Sequence, residues 1–192
     1  MPETVAEETG VTVYQINPRE SRFTVQAFAE GLFSAFGHNP KLNAGDFSGA
    51  VKFRAVDLEA ASLEFSVKAD SLHVVDKVSD KDRREIERMM KEDVLETNRF
   101  PEIVFVSKSV IATRIYEGFY RVTIDGQLSL HGVTRDHGIE AQVRLMEDGL
   151  RAEGESRLLQ GNYGIKRVSV AGGTLKVKDE VKLSFAIVAG KT

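Results

Sequence analysis

The residue types that most often carry out chemistry, Cys and His, are few in this sequence and exclude several reaction classes. The 192-residue chain contains no Cys and four His, at positions 38, 73, 131 and 137. The lack of Cys excludes disulfides, thiolate nucleophiles and Cys-ligated metal centres. No two His have the spacing of a helical metal site, so a metal would need a His pair and a carboxylate from distant strands. Such a metal site stays an alternative, but we expect the protein to bind no metal.

Motifs for nucleophilic or nucleotide chemistry are missing from the sequence. The segment Gly45-Asp46-Phe47-Ser48-Gly49 has its Ser out of place for a G-x-S-x-G nucleophile elbow. Neither a P-loop nor a G-x-G-x-x-G pattern occurs. We interpret the acidic cluster Asp76, Asp80 and Asp82 as charge compensation at a helix start. We therefore expect no catalytic residues and no enzyme activity.

Charge and hydropathy restrict the partners. The net charge of −3 leaves no basic excess to neutralise phosphates, so we expect no nucleic-acid partner. No apolar run reaches the roughly 18 residues of an integral membrane segment. Residues 1–10 hold three Glu and no basic residue, which is unlike an export signal. These features predict a disordered tail over 1–10, one domain over 11–192 and a cytoplasmic location.

The elements that must position any site are mainly strands, because apolar and polar residues alternate with period two. Asp148-Gly149 and Glu117-Gly118 have the composition of tight hairpin turns. The clearest alternating segments are 62–72, 120–130, 139–145, 150–155 and 181–189, and the less regular ones are 11–16, 22–29, 47–54, 103–111, 158–163 and 174–178.

One segment, Ser79–Leu95, has helical periodicity instead. Ser79 and Asp82 have the spacing of a capping box. Ile86, Met89, Met90 and Val94 share one helical stripe. Glu87 and Lys91 have the i,i+4 spacing of a favourable ion pair.

A single helix cannot cover about ten half-apolar strands, so the strands must cover one another. A closed barrel buries every alternate apolar residue and removes the sheet edges. A sandwich explains the alternation equally well. A barrel of about eight strands is either filled by side chains or holds one small ligand.

Four motifs, taken in order along the chain, resemble the YceI-like family of lipocalin-like, polyisoprenoid-binding proteins. The similarity extends from about Val13 to Val188. The motifs are Tyr14-Gln-Ile-Asn-Pro-Arg-Glu-Ser-Arg-Phe-Thr-Val25, Gly37-His38 with Gly45–Phe53, Leu95-Glu-Thr-Asn-Arg-Phe-Pro-Glu-Ile-Val-Phe-Val-Ser107, and Gly126-Gln-Leu-Ser-Leu-His-Gly-Val-Thr-Arg135. Asn162-Tyr163-Gly164 is similar to a later family motif. Tyr14 lies where many relatives have Trp, and residues 1–10 do not resemble the export signal that many of them carry.

The resemblance implies an all-β fold: an antiparallel lipocalin-like β-barrel of about eight strands with one inserted α-helix at about 79–95. It implies non-enzymatic binding or carriage of a long apolar lipid, an isoprenoid or fatty acid, and no other cofactor. The expected partner is that apolar ligand, and a homodimer is left open. Candidate cavity residues are Phe23, Val25, Phe33, Phe36, His38, Phe65, Val67, Met89, Met90, Phe105, Val122, Ile124, His131, Leu183 and Phe185. Phe33 and Phe36 belong to a Phe-rich stretch that could form an apolar rim.

Two rival functions stay open at this point. The first is a packed barrel without ligand that serves as a stress-related protein-interaction module. The second is a barrel that assembles the His/carboxylate metal site described above. Met89, Met90 and His131 also have plain structural interpretations, namely helix packing for the two Met and a strand-end turn contact with Thr134 for His131.

Overall fold

A computed structural model describes residues 10–30, 39–54, 57–170 and 175–192. Its strands are β1 (Thr12–Ile16), β2 (Arg22–Gln26), β3 (Ala29–Glu30), β4 (Lys41–Ala44), β5 (Phe47–Arg54), β6 (Asp57–Lys68), β7 (Leu72–Val74), β8 (Glu102–Tyr116), β9 (Phe119–Leu130), β10 (Val133–Leu145), β11 (Gly149–Leu159), β12 (Ser169–Val170), β13 (Leu175–Val177) and β14 (Glu180–Lys191). The predicted tail over 1–10 lies outside the described residues except for Gly10.

The main sheet closes on itself as an eight-strand antiparallel barrel, in the order β1-β5-β6-β8-β9-β10-β11-β14 and back to β1. The closing pair sets Tyr14 opposite Lys191 and Ile16 opposite Ala189. Closure confirms the barrel and excludes the sandwich, because every apolar face now turns towards one interior.

Three short strands extend the barrel beyond bends in the chain: β2 comes after β1, β4 comes before β5, and β7 comes after β6. β2 pairs with β14, β4 pairs with β2, and β7 pairs with β4. At the bends, the Gly45 amide donates to the Ser71 carbonyl and the Lys68 amide donates to the Asp46 carbonyl. We call the end of the barrel that carries β4 and β7 the helix end, and the opposite end the hairpin end.

Period-two alternation sets the core. In β9, Val122, Ile124, Leu128 and Leu130 are buried, whereas Arg121, Asp125 and Gln127 between them are exposed. Glu117-Gly118 forms the β8–β9 turn, where Gly118 has φ of 72°. Within the described residues, β12, β13 and β3 form a small second sheet that is not hydrogen-bonded to the main sheet as a ladder.

The helix α1 (Asp80–Met89) continues as a π-helical turn over Met90–Val94, close to the predicted bounds. The Ser79 hydroxyl accepts from the Asp82 amide and caps the helix, as its position predicts. None of the helices that the structure describes has the length and hydropathy needed to span a bilayer.

One predicted strand is wrong. Residues 158–163 do not continue as a strand, because β11 ends at Leu159 and Gln160–Tyr163 form a short 3-10 helix. The Gln160 side chain donates to the Lys178 carbonyl, and Gly164 ends the turn in the left-handed conformation with φ of 69°. Gly172-Gly173, whose composition predicts a further turn, lies outside the described residues.

Candidate ligand cavity

A cavity of about 850 Å³ occupies the barrel interior. Its walls include Leu145 and Leu150 at the hairpin end and Ile165 and Val177 at the helix end, so it runs along the barrel axis. A twelve-residue strand such as β9, tilted as in small barrels, spans about 30 Å of that axis.

Most of the sequence-predicted site residues line this cavity. The structure places these members along its wall: Phe23, Val25, Phe65, Val67, Met89, Met90, Phe105, Val122, Ile124, Leu183 and Phe185. Phe33, Phe36 and His38 lie outside the described residues. Whether the placed residues contact a ligand stays a prediction.

Phenylalanine rings from different strands meet inside the barrel. The Phe23 and Phe65 ring centroids are 5.3 Å apart at an angle of 45°, and Phe47 lies 5.7 Å from Phe65. Phe23 is also the cross-strand partner of Phe185. Tilted rings at these distances are mutually favourable, so they pack together as an apolar surface.

Inward glycines make room for some of these rings. A Cβ on Gly154 would lie 2.5 Å from Phe185 Cζ, and one on Gly126 would lie 2.5 Å from Phe105 Cζ. Each ring therefore lies flat over a strand that lacks a side chain at that point. This placement keeps the ring near the wall and leaves the barrel axis open.

The helix covers the helix end of the cavity, and two side chains attach it to the edge of β7. Glu87 Oε1 accepts from the Val74 amide at 2.9 Å, and Arg83 donates to the carbonyls of Val74 and Asp76. Sequence spacing pairs Glu87 with Lys91, but the carboxylate instead completes the hydrogen bonding of a strand edge. Ile86, Met89 and Met90 consequently face the cavity.

The charged groups of the cavity wall lie on the helix and on the loops and strands of the helix end: Asp76, Asp82, Glu85 and Lys176. Glu85 pairs with Arg88 at 2.9 Å, and this guanidinium lowers the pKa of the Glu85 carboxyl. Asp76 accepts from the Lys41 amide at 2.6 Å. The carboxylates at this end are thus held by protein partners.

His131 does not line the cavity. Its Nε2 lies 2.8 Å from Glu96 Oε2, and its Nδ1 lies 3.2 Å from the Tyr163 carbonyl oxygen. The ring packs on Phe100, with 4.5 Å between centroids. Thr134, its expected turn partner, instead bonds Ser129 at 2.7 Å. The structural partners of His131 therefore lie in other segments of the chain.

Three of the sequence motifs meet at His131. His131 and Gly132 form the two-residue turn between β9 and β10, with φ of 52° and 74°. Phe100 lies over Gly132, where a Cβ would come within 2.5 Å of its ring. Tyr163, which is almost fully buried, supplies the third contact, and burial raises the pKa of its phenol. This group of motifs joins the helix exit to two turns, outside the cavity.

Sequence reasoning missed His137 and Ser156. Both line the cavity, and His137 Nε2 lies 3.0 Å from Ser156 Oγ. Burial lowers the pKa of the His137 imidazole. Extending the apolar face Ile139, Ala141, Val143 back by two residues predicts an inward His137, and that signal was available in the sequence.

Groups of three or more His, Asp or Glu side chains placed to hold a metal ion do not occur within the described ranges. Among the lining residues the charged groups are confined to the helix end. The rest of the wall is mainly apolar, and its polar side chains are the His137–Ser156 pair, Ser62, Tyr120 and Gln160. Chemically, such a cavity can exclude water from a hydrocarbon chain and can hydrogen-bond one polar group.

Comparison with known proteins identifies the family. The sequence model of the YceI-like domain family matches residues 14–189 of this chain. No curated protein matches the chain by sequence.

Among solved structures, BcnA of Burkholderia cenocepacia is 15% identical with a TM-score of 0.68, over 90% of this chain and 98% of that chain. A polyisoprenoid binding domain from Saccharophagus degradans, implicated in plant cell wall breakdown, is 11% identical with a TM-score of 0.64, over 93% and 98%. A YCEI protein of Campylobacter jejuni is 15% identical with a TM-score of 0.60, over 81% and 87%. These structures share the barrel fold, and the sequence match shows that this chain belongs to the YceI-like family.

Proposed function

We propose that the protein binds one long apolar lipid, of polyisoprenoid or fatty-chain type, in the barrel cavity and carries it without catalysis. The observation that carries this proposal is the cavity of about 850 Å³ with its mainly apolar wall. Barrels of this size are often filled by their own side chains. A volume within the usual range of ligand pockets, roughly 300–1,000 Å³, favours a bound molecule over the packed interaction module.

The energetics favour a long chain. Each buried CH₂ is worth about 0.8 kcal/mol, so ten of them contribute roughly 8 kcal/mol before the costs of ordering the ligand. Phe rings and Leu side chains supply this surface along the whole axis. The similar Saccharophagus degradans domain is described as polyisoprenoid binding, which supports the same ligand class here.

Several parts of the proposal rest on the sequence alone. Carriage of the lipid, a cytoplasmic location and the lack of nucleic-acid binding stay predictions, and a homodimer stays open. The metal-site alternative gains no support from the described residues, which bring no suitable cluster together.

A matched pair of variants on β10 tests the cavity as the binding site. Ala141 lines the cavity, and its cross-strand partners are Val122 on β9 and Gly154 on β11. The next residue, Gln142, is exposed. Ala141→Phe places a ring inside the hairpin-end part of the cavity, and Gln142→Phe places the same ring outside. Hexadecanoic acid and octanoic acid then compete with an anilinonaphthalene dye in fluorescence titrations.

We expect Ala141→Phe to weaken the binding of hexadecanoic acid about tenfold and to leave the binding of octanoic acid nearly unchanged. Only the longer chain has to extend into the hairpin end of the cavity. Gln142→Phe should change neither. Equal binding of the long chain by the wild type and Ala141→Phe would place the ligand elsewhere. No binding of either acid to the wild type would remove the carrier proposal.

A further inference from the structure

The barrel wall opens between β10 and β11 towards the helix end. β10 pairs with β9 from Val133 to Arg144, and β11 pairs with β14 from Gly149 to Leu159. In contrast, the register between β10 and β11 runs only from Glu140 opposite Glu155 to the hairpin. All residues around this opening are among those that the structure describes. On the helix-end side of Glu140 and Glu155, β10 and β11 form no further pairs within that part of the chain.

His137 and Ser156 stand at the opening, one on each strand. Their side chains bridge it through the 3.0 Å contact between Nε2 and Oγ. Both face the apolar cavity, beside Ile139 and Leu158. His137 also borders a second pocket of about 180 Å³, whose other walls include Arg135, Arg157 and Asn162. His137 therefore separates the lipid cavity from a polar pocket.

The contact between His137 and Ser156 leaves other donor and acceptor sites of the two side chains unused. A neutral imidazole has one donor and one acceptor nitrogen, and a Ser hydroxyl has one donor and two acceptor sites. Apart from their mutual contact, neither side chain makes another hydrogen bond to the described residues. Polar groups within an apolar cavity are usually satisfied, so a ligand group is the natural partner of the remaining donor and acceptor.

We propose that His137 and Ser156 hold one uncharged hydroxyl or carbonyl group of the bound lipid. This proposal rests on the proposed lipid-binding function and narrows its ligand class to an apolar chain with such a group along it or at its end. When the Ser156 hydroxyl donates to Nε2, the imidazole Nδ1 carries the proton and donates to the ligand oxygen. With the opposite tautomer, the pair can instead accept from a ligand hydroxyl.

The surroundings favour an uncharged group. Burial lowers the pKa of His137 and so disfavours the charged imidazolium that an anion would need as its partner. The Lys that lines the cavity, Lys176, is on β13 at the helix end. Both Arg of the second pocket already have partners, because Arg157 pairs with Glu180 and Arg135 donates to the Asn162 carbonyl. Placing a phosphate or carboxylate at His137 would leave that charge poorly compensated in an apolar site.

The test uses the full-length protein and two probes of equal heavy-atom count, dodecanol and tridecane, competing with an anilinonaphthalene dye. His137→Phe removes the hydrogen-bonding ring nitrogens but keeps an aromatic ring, and Ser156→Ala removes the hydroxyl. We expect each variant to weaken dodecanol roughly three- to tenfold more than tridecane, as one lost hydrogen bond predicts. Tridecane also reports whether the cavity itself is intact.

Equal losses for dodecanol and tridecane in both variants would overturn the polar subsite while leaving the carrier function standing. No binding of either probe to the wild type would overturn both proposals. Dodecyl phosphate tests the charge, because its head group should stay outside the opening and its affinity should not respond to His137→Phe. A loss equal to that of dodecanol would overturn the restriction to uncharged groups.

Discussion

Glu96 and His131 hydrogen-bond each other, with 2.8 Å between Oε2 and Nε2, and both have positive φ, 45° and 52°. They are the two non-glycine residues with this backbone conformation in the described part of the chain. Left-handed conformations cost free energy for residues with a Cβ, and the surrounding contacts must hold them. The pairing thus links the helix exit to the β9–β10 turn.

The first prediction concerns His131. His131→Asn keeps a residue that tolerates positive φ but loses the contacts of the ring, so the free energy of unfolding should fall by about 1–3 kcal/mol. His131→Ala should cost about 1 kcal/mol more, because it adds the backbone penalty. Urea denaturation measures both, and lipid affinity should not change. Unchanged stability with weakened lipid binding would instead make His131 a ligand contact.

The second prediction concerns the attachment of α1. Glu87→Ala leaves the Val74 amide, on a residue with 1% exposure, without its partner. We expect a loss of about 1–3 kcal/mol in the free energy of unfolding and a faster release of bound lipid, measured by stopped-flow displacement. Glu87→Gln keeps an acceptor oxygen and should recover most of both. Glu92→Ala, on the exposed side, is the control, and an effect equal to that of Glu87→Ala would contradict the attachment.

The third prediction concerns the glycine under Phe185. Gly154→Ala forces a Cβ against the Phe185 ring and the Glu140 carbonyl, so thermal or urea unfolding should show a loss of about 1–3 kcal/mol. Phe185→Leu in the same chain should recover part of it. Gly190→Ala, where nothing lies within 4 Å of the new Cβ, should be nearly neutral. Equal costs at both glycines would contradict the close approach at Gly154, and no recovery in Phe185→Leu would make the Glu140 carbonyl the obstacle instead of the ring.

The fourth prediction is a pH dependence. Burial holds the pKa of His137 below its ordinary 6.5, so the unfolded chain binds its proton more tightly than the folded one. Its contribution to stability is present above about pH 6.5 and is lost as the pH falls from there through the lower folded pKa. The neighbouring charged groups around the second pocket are Arg135, Asp136, Arg157 and Glu180.

Urea titrations of the wild type and His137→Phe across this range provide the measurement. The wild type should lose stability on acidification from neutral pH, and His137→Phe should lose less. Parallel profiles would show that His137 has the same proton affinity folded and unfolded. Glu96, whose pKa Arg99 and His131 lower, contributes a separate loss at more acidic pH that both proteins share.

Period-two alternation predicts strands that bury one face each, but it fits a sandwich as well as a barrel, and the barrel follows from the resemblance to the YceI-like family. β8 shows where this reasoning ends. Ile103 and Phe105 face the cavity at odd positions, but Val110 and Ala112 face it at even positions. A register shift between Ser107 and Ser109 reverses the parity. The bulge depends on pairing with β9, so the sequence of β8 leaves the parity ambiguous.

The apolar part of the candidate site and the inward position of His137 could be predicted from alternation, but the contact between His137 and Ser156 could not. Alternation assigns Phe65 and Phe185 to the interior, but it does not show whether the interior is filled or hollow. That depends on how each ring lies over a glycine of the neighbouring strand. The partnership of His137 and Ser156 also requires the opening between β10 and β11, which is a long-range property of the sheet.

Mass spectrometry of a solvent extract from the purified full-length protein tests the central claim most directly. We predict an apolar lipid at about one molecule per chain in the wild type and in Gln142→Phe, and a smaller amount in Ala141→Phe, in step with its weaker binding of the long acid. An extract without a stoichiometric lipid, from protein that also fails to bind added fatty or prenyl probes, would contradict lipid binding in the barrel.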